Sequence, residues 1–200
     1  MTESPIDPWT WPEPTVTGGE VQTWLGSLER QRATFAWKVG GLDAAGLRTT
    51  VGASSLTLGG LLAHLARCED DRFPRQLLGR EPDPAFGSRT SAQDWEWASH
   101  QDPQTLYALW SQAVTRSREA TVEALRYGGL EQVTHVDWPD ARPTIRRDFA
   151  DILEEYARHV GHADLIREAI DGVVGEDPPA FRAAPPWPPP SAEYRALLDY

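Results

Sequence analysis

Residues 154–164 read EEYARHVGHAD, and this stretch decides the fold. It lies in a long run with helical periodicity, and at about 100° per residue Glu155, His159 and His162 project from the same side of the predicted helix. Apolar residues such as Tyr156 lie beside that side, which places the polar trio at the edge of the buried stripe. One carboxylate and two imidazoles at such an edge are typical of a metal or acid–base site, although a Glu–His pair on one helix is more often only a solvated pair.

The composition favours a cytoplasmic protein with one well-packed domain. The chain has 200 residues, 40% of them hydrophobic, and its single cysteine excludes an internal disulfide. The sequence contains no apolar run long enough to span a bilayer and no basic N-terminal segment followed by an apolar one. The net charge of −11 opposes the phosphate contacts that nucleic-acid binding needs. We therefore expect neither a membrane nor a nucleic acid as a partner.

Hydrophobic periodicity predicts four long helices and therefore an all-α chain. They cover residues 19–39, 57–78, 103–127 and a stretch from 144 or 145 to 171. The link over residues 80–101 is long for a helical domain, so it predicts a crossover that lets the second and third helices run parallel. The shorter links on either side favour antiparallel neighbours. The expected fold is a four-helix bundle with a long crossover between helices 2 and 3.

Proline-rich segments flank the predicted bundle. The chain divides into an extended N-terminal arm (1–18), the bundle (19–172) and a proline-rich tail with a short terminal helix (173–200). Of the nine tryptophans, Trp9, Trp11 and Trp187 lie in these ends, where we expect them to hold the termini against the bundle. A short extended segment is expected over residues 131–138, before the fourth helix.

His64 in the second predicted helix lies at the border of an apolar stripe, as Glu155 and His159 do in the fourth. Together the three side chains would supply two imidazoles and one carboxylate and leave coordination positions open. Open positions are typical of catalytic metal sites, because structural zinc sites are closed. The set suits zinc, nickel or ferrous iron. Such an ion would activate a thiol or a bound water as a nucleophile.

Two blocks of the sequence resemble the DinB-like superfamily. The first is LTLGGLLAHL over residues 56–65, followed by Glu69 and Phe73, and the second is EEYARHVGHADL over residues 154–165. The superfamily consists of metal-binding four-helix bundles and includes thiol-dependent transferases and mycothiol-dependent maleylpyruvate isomerases. Within it the chain is most similar to a bacterial group without an assigned function, which shares the run RQRA over residues 30–33.

The resemblance implies roles for individual residues. It assigns His64, Glu155 and His159 as metal ligands, with Glu155 at a position that is histidine in some members. The expected ion is zinc, with nickel or iron as alternatives. His162, one turn past the last ligand, is then a donor to a ligand, an acid–base group or an alternative ligand. We take it as the candidate catalytic residue.

Three hypotheses on function follow. The first is a metal-dependent transferase or isomerase that binds a low-molecular-weight thiol, such as mycothiol or bacillithiol, and adds it to a small electrophile. The second is metal-assisted hydrolysis with His162 as proton carrier. The third is a non-enzymatic, stress-related bundle that binds a small molecule or metal, in which His64 is paired with Glu155. The exposed tryptophans and proline-rich ends leave room for a symmetric homodimer.

Other polar residues near the expected ligands have simpler interpretations. Cys68 lies one turn after His64, but a buried thiol more often only fills space. Arg67, Arg72 and Arg158 suit the binding of an anionic group, yet each has acidic neighbours in the sequence. We therefore expect each arginine to form an ion pair.

Overall fold

Helices form the regular secondary structure of the described part of the chain. The computed structural model describes residues 12–136, 139, 141–177 and 188–198. The elements are α1 (Glu20–Val39), α2 (Ala44–Leu47), α3 (Leu58–Asp70), a π-helical segment (Asp71–Leu77), a 3-10 turn (Pro84–Phe86), α4 (Ser91–Ser99), α5 (Pro103–Arg126), α6 (Ile145–Asp171) and α7 (Ala192–Leu198). Within these residues the segment expected to be extended forms only one antiparallel bridge, between Val133 and Thr144. The predicted all-α fold is confirmed. None of the helices described is both long and apolar enough to cross a membrane.

Polar side chains cap the starts of three of the four long helices, α3, α5 and α6, where the sequence predicts them. Thr57, Asp102 and Thr144 each accept a hydrogen bond from a backbone N–H three residues further on, at 3.0, 3.0 and 3.3 Å. Helix α6 ends at Asp171 and is capped by Gly172, whose φ of 74° is the left-handed conformation that glycine adopts without strain. These boundaries could be predicted because caps are local features of the sequence.

Helices α3 and α5 run parallel, in agreement with the long link between them. A Cβ at Gly59, near the start of α3, would lie 3.3 Å from Cδ1 of Leu106, near the start of α5. Further along both helices, Ser117 Oγ donates to the carbonyl oxygen of Glu69 at 3.1 Å. The contacts therefore follow the same order in both helices.

Helices α1 and α6 also run parallel. Glu20 pairs with Arg146 (2.6 Å) near their starts, and Lys38 pairs with Asp164 (2.9 Å) near their ends. The two parallel pairs, α1 with α6 and α3 with α5, pack against each other around the hydrophobic core.

Helix α3 continues into the π-helical segment instead of remaining α-helical to its end. Pro74 lies inside this segment, and because proline has no N–H it cannot complete an α-helical hydrogen-bond ladder. The wider π turn accommodates it, and the helical run stops before Gly79, where φ is 66°. Phe73 of this segment packs against Phe149 near the start of α6, with ring centroids 5.7 Å apart. Helices α3 and α6 are therefore antiparallel neighbours.

The long connector contains the 3-10 turn and α4, which the hydrophobic pattern does not predict. Helix α4 has only nine residues, and its alternating aromatic and acidic residues give no helical period. It begins with a capping box: Thr90 Oγ1 accepts from the Gln93 N–H (3.4 Å) and Gln93 Oε1 accepts from the Thr90 N–H (2.8 Å). This local Thr–Gln signal could have identified the helix.

The described parts of both ends pack on the long helices. Glu13 pairs with Arg30 of α1 at 3.0 Å. A Cβ at Gly26 would lie 3.2 Å from Cα of Pro14, so the N-terminal arm runs closely along α1. Tyr194 of α7 is fully buried, which docks the predicted terminal helix on the chain's own core. The tryptophans expected to hold the termini, Trp9, Trp11 and Trp187, lie outside the described residues.

Candidate metal site

Helices α3 and α6 bring the three predicted ligands together. One ligand atom from each of His64, Glu155 and His159 lies within 4.8 Å of the other two. Nε2 of His64 is 3.6 Å from Glu155 Oε2, and Nε2 of His159 is 3.3 Å from the same oxygen. The two imidazole rings meet edge to face, with centroids 4.7 Å apart. Two distant segments of the chain therefore form one cluster.

The spacing of these atoms fits a divalent ion. Four tetrahedral ligands at about 2.0–2.1 Å from an ion lie roughly 3.3 Å from one another, close to both distances to Glu155 Oε2. At 3.6 Å, His64 and Glu155 are too far apart for a direct hydrogen bond. Nδ1 of His64 is buried and has no hydrogen-bond partner in the described part of the chain. The donor set suits zinc, nickel or ferrous iron.

The cluster lies at the edge of the core. The side chain of Glu155 is 37% exposed, whereas those of His64 and His159 are 18% and 11% exposed. The imidazoles are therefore held by packing, while the carboxylate borders solvent. This leaves one side of the cluster accessible to a small molecule.

His162 approaches the ring nitrogen of His159 that does not face Glu155. Its Nδ1 is 3.3 Å from Nδ1 of His159, whose Nε2 faces Glu155. Burial and the neighbouring His64 ring lower the pKa of His159 to about 4, so this imidazole is neutral near pH 7. If His159 carries its one proton on Nδ1 and donates it to His162, its Nε2 is free to bind a metal. Among the roles open to His162, this geometry favours that of a residue that orients a ligand.

Cys68 is close to His64 but outside the cluster of ligand atoms. Its Sγ lies 3.6 Å from His64 Nε2, yet the mutually close ligand atoms are those of the other three residues. Burial, followed by the charge of Glu155, raises the pKa of the thiol, so it is protonated and weakly nucleophilic at neutral pH. We retain its interpretation as a packing residue.

A buried polar network next to Glu155 links α6 to the neighbouring helices. The hydroxyl of Tyr156 donates to Glu69 Oε1 at 2.6 Å and accepts from Trp110 Nε1 at 2.9 Å. Arg32 donates to both oxygens of Glu69, at 2.8 and 2.5 Å. Because Tyr156 directly follows Glu155, this network fixes the backbone of Glu155 relative to α3. Sequence reasoning treated Tyr156 only as part of the apolar stripe and missed the network.

All three nearby arginines have acidic partners, as expected. Arg72 lies 3.5 Å from Asp151 and 3.9 Å from Asp148, both in α6. Arg158 donates to Glu154 at 2.6 Å on the exposed side of α6, as the sequence predicts. Arg67 pairs with Asp94 of α4, a partner that the sequence did not predict because α4 was not recognised. All three guanidinium groups therefore form ion pairs.

A cleft elsewhere in the molecule is separate from the candidate metal site. It has a volume of about 450 Å³ and is lined by Leu125 and Leu197, beside the ion pair of Glu20 and Arg146. Arg146 and His159 are separated by about 20 Å along α6. The cleft contains none of the predicted site residues.

Comparison with known proteins agrees with the resemblance that the two sequence blocks indicate. No curated protein matches the chain. The sequence model of a DinB-like family described as mycothiol-S-transferase matches residues 23–172, which is 150 of the 200 residues. The match includes both helices that carry the cluster, and the predicted resemblance to the DinB-like superfamily is confirmed. The chain therefore belongs to the mycothiol S-transferase family.

Proposed function

We propose that the protein is a metal-dependent transferase, or an isomerase of the same type, that joins a low-molecular-weight thiol such as mycothiol to a small electrophile. The observation that carries the proposal is the convergence of His64, Glu155 and His159 in a member of the mycothiol S-transferase family. Family membership supports the thiol and the transfer reaction. The cluster supports the dependence on a metal.

The proposed roles follow from the contacts of each residue. His64, Glu155 and His159 would hold a divalent ion, with zinc as the first choice. When bound, such an ion lowers the pKa of a thiol at an open coordination position and supplies thiolate at neutral pH. His162 would orient His159 through the contact between their Nδ1 atoms. The exposed side of Glu155 leaves an approach for the thiol and its acceptor.

The reaction is tested with a defined thiol and a defined electrophile. Purified protein is incubated with mycothiol, or with N-acetylcysteine as a simpler thiol, and 1-chloro-2,4-dinitrobenzene. We expect thioether formation that depends on added zinc, nickel or ferrous iron. His64→Ala should lower the rate by more than about 100-fold, because it removes a ligand. Glu154→Gln, on the exposed side of α6, should keep the rate of the native protein.

Two outcomes would overturn the proposal in favour of the other hypotheses. Metal-dependent cleavage of esters or amides, with no thiol conjugation, would instead support hydrolysis. Metal binding without turnover of any thiol acceptor or hydrolysable substrate would support a non-enzymatic binding protein.

A further inference from the structure

Helix α4 of the long connector reaches the candidate metal site. Its Trp95 stacks on the imidazole of His64, with ring centroids 5.7 Å apart and ring planes inclined by 23°. Trp95 is only partly buried, so part of the indole remains open to solvent. A small molecule held at the cluster next to His64 would therefore lie beside the indole.

A glycine in α3 makes room for this indole. A Cβ at Gly60 would lie only 2.1 Å from Cε3 of Trp95 and 2.5 Å from its Cζ3, so any side chain there would displace the ring. Gly60 lies one turn before His64 on the same helix. The indole is thus seated directly on the backbone of α3, beside the ligand.

Buried charges hold α4 in this position. Asp94, next to Trp95, is only 1% exposed. Arg67 of α3 donates to both of its carboxylate oxygens, and Arg89 donates to one of them at 3.1 Å. Arg67 also donates to the Arg89 carbonyl oxygen at 3.0 Å. Charge-assisted bonds of this kind fix geometry as well as adding energy, so Trp95 forms a preorganised wall.

We propose that Trp95 determines the acceptor specificity of the site, by forming a flat apolar wall that favours aromatic electrophiles. The inference rests on the proposed thiol transfer and adds the class of acceptor to it. Packing of an aromatic acceptor on an indole should increase its affinity by roughly 3- to 10-fold. A small, non-aromatic acceptor gains little from the same wall.

The test compares two acceptors of different shape with N-acetylcysteine as the common thiol. In 1-chloro-2,4-dinitrobenzene and in iodoacetamide alike, the sulfur forms a bond to carbon, the halide leaves with the bonding electrons, and the thiol proton passes to the buffer. For Trp95→Leu in the metal-loaded protein, we expect KM for chlorodinitrobenzene to rise about 3- to 10-fold. The kcat values and KM for iodoacetamide should stay within about twofold of the native values.

Matched variants distinguish an effect of the Trp95 indole on acceptor binding from a general effect on the fold. Trp97→Leu makes the same change on the same helix, where the indole packs on Arg89 (4.1 Å) instead of on His64, and should leave both KM values unchanged. Gly60→Ala displaces the Trp95 indole without removing it and should reproduce the KM shift. Gly161→Ala is its control, since a Cβ there meets nothing within 4 Å.

The inference is overturned if Trp95→Leu changes both KM values equally, or lowers kcat with both acceptors and leaves KM unchanged. If the native protein turns over neither acceptor, the proposed function fails separately. Equilibrium dialysis with S-(2,4-dinitrophenyl)-N-acetylcysteine then tests the wall without turnover. We expect its Kd to be about 3- to 10-fold higher for Trp95→Leu than for the native protein, and an equal Kd would overturn the inference.

Discussion

At the scale of residues, the proposed chemistry depends on which atom of each side chain faces Glu155. His159 directs Nε2 to Glu155 and Nδ1 to His162, so the tautomer of its ring decides which nitrogen is free to bind a metal. The sequence predicts that these residues share one side of a helix. It does not predict which ring nitrogen faces the cluster, because that depends on side-chain rotation and on packing against α3.

His162→Ala tests whether this residue orients His159. Removing the partner of His159 Nδ1 should weaken zinc binding by about 10- to 100-fold, because such outer partners fix the orientation of a ligand. Competition with a chelator measures the Kd. His100→Ala, which removes an exposed histidine in the connector, should leave the Kd unchanged. Unchanged zinc affinity combined with a lower transfer rate would assign His162 to acid–base chemistry instead.

A second residue-scale prediction concerns Asp148. Burial raises its pKa to about 7, although Arg72 (3.9 Å) opposes the shift, and the other charges around it include Asp151 and Arg147. The folded protein therefore holds a proton that the unfolded chain has already released above its ordinary pKa of 3.8. The free energy of unfolding should fall as pH rises from about 4 to about 7 and then level off.

Urea unfolding across this pH range measures the effect. Between pH 4 and pH 8, the free energy of unfolding of the native protein should fall by on the order of 1–3 kcal/mol relative to that of Asp148→Asn, which cannot titrate at this position. The exposed change Glu154→Gln on the same helix is the control. A difference between the native protein and Asp148→Asn that does not vary with pH would contradict the prediction.

At the scale of elements, the site depends on α3, α6 and the connector helix α4. The first two could be predicted because they are long and periodic and have local caps. The hydrophobic pattern does not predict α4, because Trp95 and Trp97 are two residues apart, a spacing that matches no helical stripe, and only the Thr90–Gln93 capping signal indicates a helix there. The contacts of Trp95 with Gly60 and His64 are set by tertiary packing, so the sequence predicted the three residues that cluster but not the indole beside them.

The capping box of α4 offers a test at this scale. Thr90→Ala removes the side-chain acceptor of the Gln93 N–H and should lower the free energy of unfolding by about 1 kcal/mol. Urea unfolding measures this change. Thr115→Ala, at an exposed position inside α5, should have no destabilising effect because alanine is the better helix former. Equal effects of the two substitutions would contradict the prediction.

At the scale of the whole molecule, the C-terminal segment completes the charged part of the core. Arg118 donates to both oxygens of Glu29, at 3.1 and 2.6 Å, and to the carbonyl oxygen of Pro188 at 2.5 Å. Its guanidinium carbon also lies 5.7 Å from the ring centroid of Tyr194. The tail therefore covers a buried ion pair. The domain boundaries, the homodimer and the cytoplasmic location stay predictions.

Tyr194→Ala tests how strongly the tail contributes to stability. Truncation of this fully buried ring should lower the free energy of unfolding by about 3–5 kcal/mol, because it opens a cavity beside buried charges. Tyr127→Ala is the matched control, since that tyrosine is 82% exposed and should change the stability by less than about 0.5 kcal/mol. Urea unfolding measures both variants. A small effect of Tyr194→Ala would show that the tail is dispensable for stability.

The central claim is that His64, Glu155 and His159 bind one divalent ion, and a metal titration tests it most directly. Chelator-stripped protein is titrated with zinc and then with nickel, and both the bound metal and the unfolding temperature are measured. The account predicts one ion per chain and a rise in unfolding temperature of about 5–10 °C at a free-metal concentration of 100 times Kd. Glu155→Gln should abolish both effects and Glu154→Gln should keep them. No bound ion, or equal binding by these two variants, would contradict the account.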